Sequence, residues 1–306
     1  MSVDPIPPND GTVARRMLLV HAHPDDETIT TGGTIARYAA AGVEVTVLTC
    51  TLGEEGEVIG AQWAGLTADA ADQLGGYRVL ELTRALAALG AAGPRFLGGA
   101  GRWRDSGMAG TPAAANPRAF VNADADEVVG ELVAVIRELR PHVVVCYDEV
   151  GGYGHPDHIR AHRICTDALA LAGSDEDPDR GAPWDPAKFY WTVTDAAALA
   201  AAQAGITEVP RGWRRPEPGE IWTVDPAVVT TAIDVSEVYL AKSNALRAHA
   251  TQVTVAHSGT EYALSNNIIA PILREEQFVL VSGQLGPVDA AGRETDLFAG
   301  IAEPAR

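Results

Sequence analysis

The sequence predicts an α/β protein with a Rossmann-like, mostly parallel sheet, helices on both faces, and a smaller mixed C-terminal lobe. Three observations predict this fold. The chain has 306 residues, enough to bury a full core. Short apolar runs alternate with helical patterns up to about residue 173, as expected of βαβ crossovers. Polar and Pro-rich loops become frequent after that point, which indicates a second lobe.

Hydrophobic periodicity predicts the elements in chain order. The predicted strands cover 17–21, 43–50, 95–97, 142–148, 188–194 and 277–282. The predicted helices cover 28–41, 68–89, 127–139, 156–172 and 238–250. We therefore expect a flexible tail over 1–16, a Rossmann-like catalytic domain over 17–173, and a C-terminal lobe over 174–306 that completes the substrate pocket.

Composition excludes several classes of partner. The chain carries 41 Asp and Glu against 23 Lys and Arg, a net charge of -18 that opposes binding to nucleic acid or an anionic membrane. No apolar run has the length of a signal or a membrane span, so we expect a cytoplasmic protein. Three widely spaced cysteines fit neither a disulfide framework nor a thiolate zinc site. A neutral or cationic small molecule is the favoured partner, and oligomeric state is not predicted.

One four-residue pattern occurs twice, each time after a predicted strand. The first copy is His23-Pro-Asp-Asp26 and the second is His155-Pro-Asp-His158. In parallel sheets the loops at the carboxyl ends of strands form the binding crevice, so the two copies are expected to meet. A catalytic zinc site takes about three His, Asp or Glu ligands and keeps one position open. We predict His23, Asp26 and His158 as these ligands.

Asp25 lies between two predicted ligands, and its side chain is not expected to share their direction. It is therefore the candidate general base beside a metal-activated water. The alternative is that Asp25 and its acidic neighbours only stabilise the positive end of a helix. Structural roles are favoured for five further histidines: His21, His142, His162, His249 and His257.

The two loops resemble the zinc-dependent LmbE-like, or PIG-L, family of N-acetylglucosaminyl deacetylases. The similarity extends through Thr51 to Gly60, Gln73 to Arg78, Leu97 to Met108 and Ala248 to Gln252. It is strongest to the mycothiol-pathway members of the family, which act on N-acetylglucosaminyl-inositol. The resemblance implies one Zn²⁺ per chain, and the same donors also suit Fe²⁺.

The resemblance also implies roles for individual residues. Its ligands and general base are those named above, and His155 would stabilise the tetrahedral intermediate. As an imidazolium His155 would then protonate the leaving amine, with Asp157 holding its ring and raising its pKa. Tyr153 would polarise the acetyl carbonyl. Substrate contacts are implied for four residues: Arg78, Asp105, Glu57 and Met108.

The expected reaction is hydrolysis of the acetamide of an N-acetylated amino sugar. Two alternatives stay open. One is the related mycothiol S-conjugate amidase, which the resemblance implies carries a lysine soon after its Asp-Asp-Glu motif, where this chain reads Thr28-Ile-Thr-Thr-Gly32. The other is a sugar- or metal-binding protein without turnover. No Gly-x-Ser-x-Gly, Walker or Gly-x-Gly-x-x-Gly motif supports serine hydrolase or nucleotide chemistry.

Overall fold

The computed structural model describes residues 14–301 and contains two sheets and seven helices in that range. The strands are β1 Arg16–His21, β2 Glu44–Thr49, β3 Arg95–Phe96, β4 Val143–Tyr147, β5 Lys188–Val193, β6 Thr231–Asp234, β7 Thr254–Val255, β8 Glu261–Ala263, β9 Ala270–Pro271 and β10 Glu275–Ser282. The helices are α1 Asp26–Ala40, α2 Leu74–Leu89, α3 Ala125–Leu139, α4 Gly151–Gly154, α5 Pro156–Ala172, α6 Ala196–Ala204 and α7 Tyr239–Ala248.

The main sheet has seven strands in the order β3-β2-β1-β4-β5-β10-β6. The first five are parallel, and β10 runs antiparallel to both of its neighbours. The strand order reverses between β1 and β4, which is the switch point where the loops of an open α/β sheet leave room for a ligand. Both copies of the repeated motif follow these two strands.

Helices cover both faces of the main sheet, as predicted. Leu18 and Val20 of β1 face a core shared with α3 and α5. Met17 and Leu19, the alternate residues, face a core shared with α1, α2 and α7. All five residues of β4 are buried, as expected of a central strand covered on both sides. The mostly parallel α/β architecture predicted from the sequence is confirmed.

The residues after 173 contribute to both sheets. Strands β5, β10 and β6 complete the main sheet, while β7, β8 and β9 form a small antiparallel sheet. The predicted boundary at 173 therefore does not coincide with an edge of the main sheet, because all five residues of β4 pair with β5. Of the predicted tail over 1–16, residues 1–13 lie outside the described part of the chain. Within the described residues no helix is long and apolar enough to cross a lipid bilayer.

Candidate metal centre and active site

The first motif forms a strained turn between β1 and α1. Asp25 has φ 109°, a region that residues with a side chain rarely adopt and that costs about 1–3 kcal/mol. This turn lets α1 begin at Asp26, so that His23 and Asp26 turn toward the same point. The backbone N–H of His23 donates to Asp26 Oδ2 at 2.9 Å, which closes the turn.

The second motif follows β4 by way of α4, a short glycine-rich segment. Gly151 has φ 66°, and a Cβ on it would lie 2.7 Å from the Cβ of His158 and from the backbone N of Ile159. A glycine is thus required for the chain to pass close to α5. His155 is the N-cap of that helix, and its Nδ1 accepts a hydrogen bond from the backbone N–H of Asp157 at 3.1 Å. Pro156 then occupies the first helical position, where its missing N–H is tolerated.

The three predicted ligands lie together in the structure. His23 Nδ1, Asp26 Oδ2 and His158 Nε2 form a triangle whose three edges all measure 3.3 Å. Zinc bonds of about 2.0–2.1 Å put the ligand atoms of a tetrahedral site about 3.3–3.4 Å apart. The donor set and its spacing therefore fit a divalent ion with one open coordination position.

Two other groups of buried side chains share His23. One joins His23 to His155 and His158, and the other joins it to Asp105 and Asp157. The second group uses the opposite ring nitrogen, since His23 Nε2 lies 3.2 Å from Asp157 Oδ2. That oxygen already accepts the backbone N–H of Ser106 at 2.9 Å. Asp157 therefore has the contact that a hydrogen-bond partner usually makes with a metal-bound imidazole.

Tyr147 contacts two members of the triangle, Asp26 and His158. Its hydroxyl donates to Asp26 Oδ2 at 2.7 Å and accepts the backbone N–H of Ala22 at 2.8 Å. Its ring stacks on His158 with a centroid distance of 4.3 Å and an interplanar angle of 20°. Tyr147 thus fixes an oxygen of Asp26 and the ring plane of His158 at the same time.

The charges of the triangle stabilise one another. Burial alone would lower the pKa of His23, but the carboxylates of Asp105, Asp157 and Asp26 raise it well above its ordinary value. Burial would raise the pKa of Asp26, yet His158 and His23 hold it well below the usual range. Asp26 is therefore ionised and able to bind a cation.

The side chain of Asp25 pairs with Arg78. Its Oδ1 lies 3.2 Å from Arg78 Nη2, while Arg78 also donates to the carbonyls of Pro24 and, at 2.7 Å, Gly53. Burial raises the pKa of Asp25 to about 6, although Arg78 opposes the rise. A carboxylate whose pKa is close to neutrality is well matched to general-base work.

His155 and Tyr153 cover the same region from the second loop. The His155 ring lies 4.6 Å from that of His23, and the Tyr153 ring lies 5.0 Å from that of His158. Tyr153 is 57% exposed, so its hydroxyl is free to meet a ligand. Burial lowers the pKa of His155 to about 3, with His23 and His158 adding to the effect. We expected Asp157 to hold the His155 ring and raise its pKa, but the Asp157 carboxylate lies against His23, and only its backbone N–H contacts His155.

The four predicted substrate contacts divide into two pairs. Glu57 and Met108 are exposed, on the loops that follow β2 and β3. Arg78 and Asp105 are buried, and most of their polar atoms have partners within the chain, whereas Arg78 Nε has none. Asp105 accepts the backbone N–H groups of Gly107 at 2.8 Å and Glu55 at 3.2 Å. The buried pair therefore supports the loops, whereas the exposed pair is free at the surface.

Sequence reasoning missed two buried groups next to the site. Tyr147 ends a strand that reads as an ordinary apolar run, and its hydroxyl was the one available signal. His249 was expected to be structural and remote, yet its Nε2 lies 2.9 Å from Glu27 Oε1, beside Asp25. Its place in the Ala248 to Gln252 segment, one of the segments of family similarity, was the signal that could have revealed it.

Comparisons with known proteins show the family to which this chain is similar. Residues 18–169 match the family model described as PIG-L, GlcNAc-PI de-N-acetylase. The chain is 70% identical to the 1D-myo-inositol 2-acetamido-2-deoxy-alpha-D-glucopyranoside deacetylase of Rhodococcus opacus strain B4, over 94% of this chain and 98% of that protein. It is 56% identical to the protein of the same name from Mycolicibacterium smegmatis, over 94% of this chain and 97% of that one.

Solved structures share the fold at low sequence identity. The N,N'-diacetylchitobiose deacetylase of Pyrococcus horikoshii is 20% identical with a TM-score of 0.53, covering 77% of this chain and 70% of that one. GalB, the 4-carboxy-2-hydroxymuconate hydratase of Pseudomonas putida KT2440, is 17% identical with a TM-score of 0.56, covering 90% and 100%. Because one of these proteins is a deacetylase and the other a hydratase, the fold alone does not define the reaction.

Proposed function

This chain belongs to the PIG-L family of N-acetylglucosaminyl de-N-acetylases, and on that premise we propose that it hydrolyses the acetamide of N-acetylglucosaminyl-inositol. The products are acetate and glucosaminyl-inositol, the amine used in mycothiol biosynthesis. The observation that carries the proposal is the 3.3 Å triangle of His23, Asp26 and His158 with an acid and a histidine beside it. Relatives 54–70% identical that bear the name of this deacetylase support the choice of substrate.

We propose that His23, Asp26 and His158 hold one Zn²⁺ per chain, and Fe²⁺ suits the same donors. When bound, such an ion lowers the pKa of water and polarises a carbonyl oxygen. Asp157 and Tyr147 orient the ligands through His23 Nε2 and Asp26 Oδ2. These two contacts keep the three donor atoms directed at one point.

In the proposed mechanism Asp25 carries out the proton transfers, and His155 stabilises the charge that develops during attack. Asp25 takes a proton from the attacking water, and afterwards it is the group able to return that proton to the leaving amine. The Nδ1 atom of His155 accepts a backbone N–H, so the proton of a neutral ring lies on Nε2. From there His155 donates a hydrogen bond to the oxyanion that forms during attack. Tyr153 polarises the acetyl carbonyl from the open side of the pocket.

We propose that Glu57 and Met108, on exposed loops, contact the sugar, and that Arg78 and Asp105 offer polar atoms to sugar hydroxyls. The C-terminal residues complete the pocket, because the small sheet packs near Ile29, one turn after Asp25. A neutral substrate that becomes a cationic amine suits the net charge of -18 on this chain, whereas nucleic acid or an anionic membrane does not.

The location of the reaction is part of the same proposal. All three cysteines of the chain are buried and unpaired. Free thiols of this kind are usual in the reducing cytoplasm, where disulfides are rare. We therefore assign the enzyme to the cytoplasm.

The test is incubation of purified protein with N-acetylglucosaminyl-inositol, with release of acetate and primary amine measured in parallel. We expect equimolar products, loss of turnover after chelation, and recovery on addition of one equivalent of Zn²⁺ or Fe²⁺. A parallel incubation with a mycothiol S-conjugate separates the two sister activities, and faster cleavage of the conjugate would favour the amidase. If the protein binds the sugar but forms no product with any metal tested, it is a non-catalytic sugar-binding protein.

A further inference from the structure

A buried contact joins Glu27, the residue after the proposed ligand Asp26, to His249, 222 positions further along the chain. The same Glu27 carboxylate also contacts the backbone of the proposed general base. Glu27 and His249 are both 0% exposed, and His249 Nε2 lies 2.9 Å from Glu27 Oε1. Thr28 Oγ1 donates to the same oxygen at 2.5 Å. The other oxygen, Oε2, accepts the backbone N–H of Asp25 at 2.9 Å. One carboxylate therefore joins the C-terminal part of the chain to the residue at φ 109°.

We propose that His249 is a positioning residue that holds Asp25 in its strained conformation by fixing the orientation of Glu27. This inference rests on the proposed function, because it assigns His249 a role through the general base. Glu27 has two oxygens and a flexible side chain, so it can grip the Asp25 N–H only while its orientation is fixed. His249, from the segment after α7, fixes this orientation through Oε1, the oxygen that does not contact Asp25.

The rest of the site does not duplicate this contact. Arg78 holds the carboxylate of Asp25 and the carbonyl of Pro24, whereas the N–H of Asp25 is held by Glu27. A peptide that relaxes from a positive φ rotates the attached carboxylate away from its present contact with Arg78. Misplacement of a catalytic group by about 1 Å costs about 10²-fold in rate.

The chain offers a matched control two residues away. Thr251 donates through its hydroxyl and its backbone N–H to Glu81, at 2.7 and 2.8 Å. Both Thr251 and Glu81 are buried. This contact ties the same segment to α2 without touching Asp25 or Glu27. Thr251→Val therefore weakens the same attachment and leaves the Asp25 turn intact.

The experiment compares His249→Leu, His249→Gln and Thr251→Val, each as the full metal-loaded chain. We expect His249→Leu to lower kcat about 30- to 100-fold with KM changed less than about threefold and metal content unchanged. His249→Gln keeps an N–H donor at the Nε2 position, so kcat should stay within about fivefold of the starting protein. Thr251→Val should lower thermal stability and keep kcat within about twofold.

A double variant separates positioning from a general structural effect. If His249 acts through Asp25, then adding His249→Leu to Asp25→Asn should change kcat less than about threefold, because the group being positioned is already lost. Equal losses in both backgrounds would overturn the proposal, and so would a His249→Leu protein with normal kcat. Crystal structures of the metal-free variants add a readout that is independent of activity. We expect φ of Asp25 to leave the positive region only in His249→Leu. An inactive starting protein would instead reject the proposed function itself.

Discussion

The two copies of His-Pro-Asp have the same sequence and different backbones. In the first copy α1 begins at Asp26, the fourth position, after a strained third residue. In the second copy α5 begins at Pro156, the second position, and His155 has an ordinary extended conformation with φ −62° and ψ 132°. The helix therefore starts two residues later in the first loop than in the second.

This difference gives matching positions different roles. The fourth residue, Asp26 or His158, is directed at the same point in both loops. The first residue is part of the triangle in one loop, His23, and caps a helix in the other, His155. The third residue of the first loop, Asp25, pairs with Arg78. The third residue of the second loop, Asp157, contacts His23 of the first loop. In the proposed mechanism one motif used twice thus supplies ligands, a general base and an outer partner.

The largest expected effect comes from the fourth position, where the two loops agree. His158→Ala removes one of three donors, so we expect loss of the bound metal and of at least about 10³-fold in turnover, since the ion supplies several kcal/mol of transition-state stabilisation. Metal content by elemental analysis and amine release measure the two losses together.

The control for that variant is a neighbouring histidine on the same helix. His162 lies one turn further along α5, and its Nδ1 lies 3.1 Å from the carbonyl of Tyr147. His162→Gln should keep full metal content and turnover within about threefold. Retention of one metal per chain by His158→Ala would contradict the assignment of the triangle.

The sequence was sufficient to predict most of the sheet and the meeting of the two loops. Helix α5 spans Pro156–Ala172, as predicted, because a proline at its first position and an apolar stripe mark it clearly. The start of α2 was predicted at about residue 68 but lies at Leu74, after a 3-10 helix over Ala61–Leu66. Helices α4 and α6 and strands β6 to β9 were not predicted, because short segments carry too little periodicity.

The finer contacts of the site were not predictable from local pattern. Asp157 contacts His23, which belongs to the other loop. The spacing of residues within one loop does not indicate which side chain of a distant loop will lie nearby. The Glu27 to His249 contact joins residues 222 positions apart. A single sequence indicates which residue types can do chemistry, whereas the partners of each depend on tertiary packing.

The third position tests the difference between the loops more sharply. Asp25→Asn keeps the shape of the side chain and tolerates a positive φ, so metal binding should be unchanged while kcat falls about 10²- to 10⁴-fold, the usual range for a general base. Asp157→Asn should instead weaken metal affinity about 10- to 100-fold, the usual effect of losing an outer partner of a ligating histidine. Metal titration of both variants, followed by kcat at saturating metal, measures the two effects separately.

The comparison fails if the two aspartates behave alike. Asp157→Asn could bind metal normally and still lose as much kcat as Asp25→Asn. That result would mean that Asp157 acts on the substrate. An Asp25→Asn protein with weakened metal binding and normal kcat would mean that the strained turn serves the metal site. Either result would remove the division of roles between the loops.

The smallest effect expected is a stability difference at the first position of the second loop. His155 caps α5 through Nδ1 and offers Nε2 to the substrate, and asparagine, a good N-cap residue, reproduces only the first of these. Both His155→Asn and His155→Ala should lose about 10²- to 10³-fold in kcat, as expected when one oxyanion donor is removed. Only His155→Ala should also lose about 1 kcal/mol in the free energy of unfolding, measured by denaturant titration. Equal stability of the two variants would show that His155 does not cap the helix, and the second loop would then need another reason for starting its helix at Pro156.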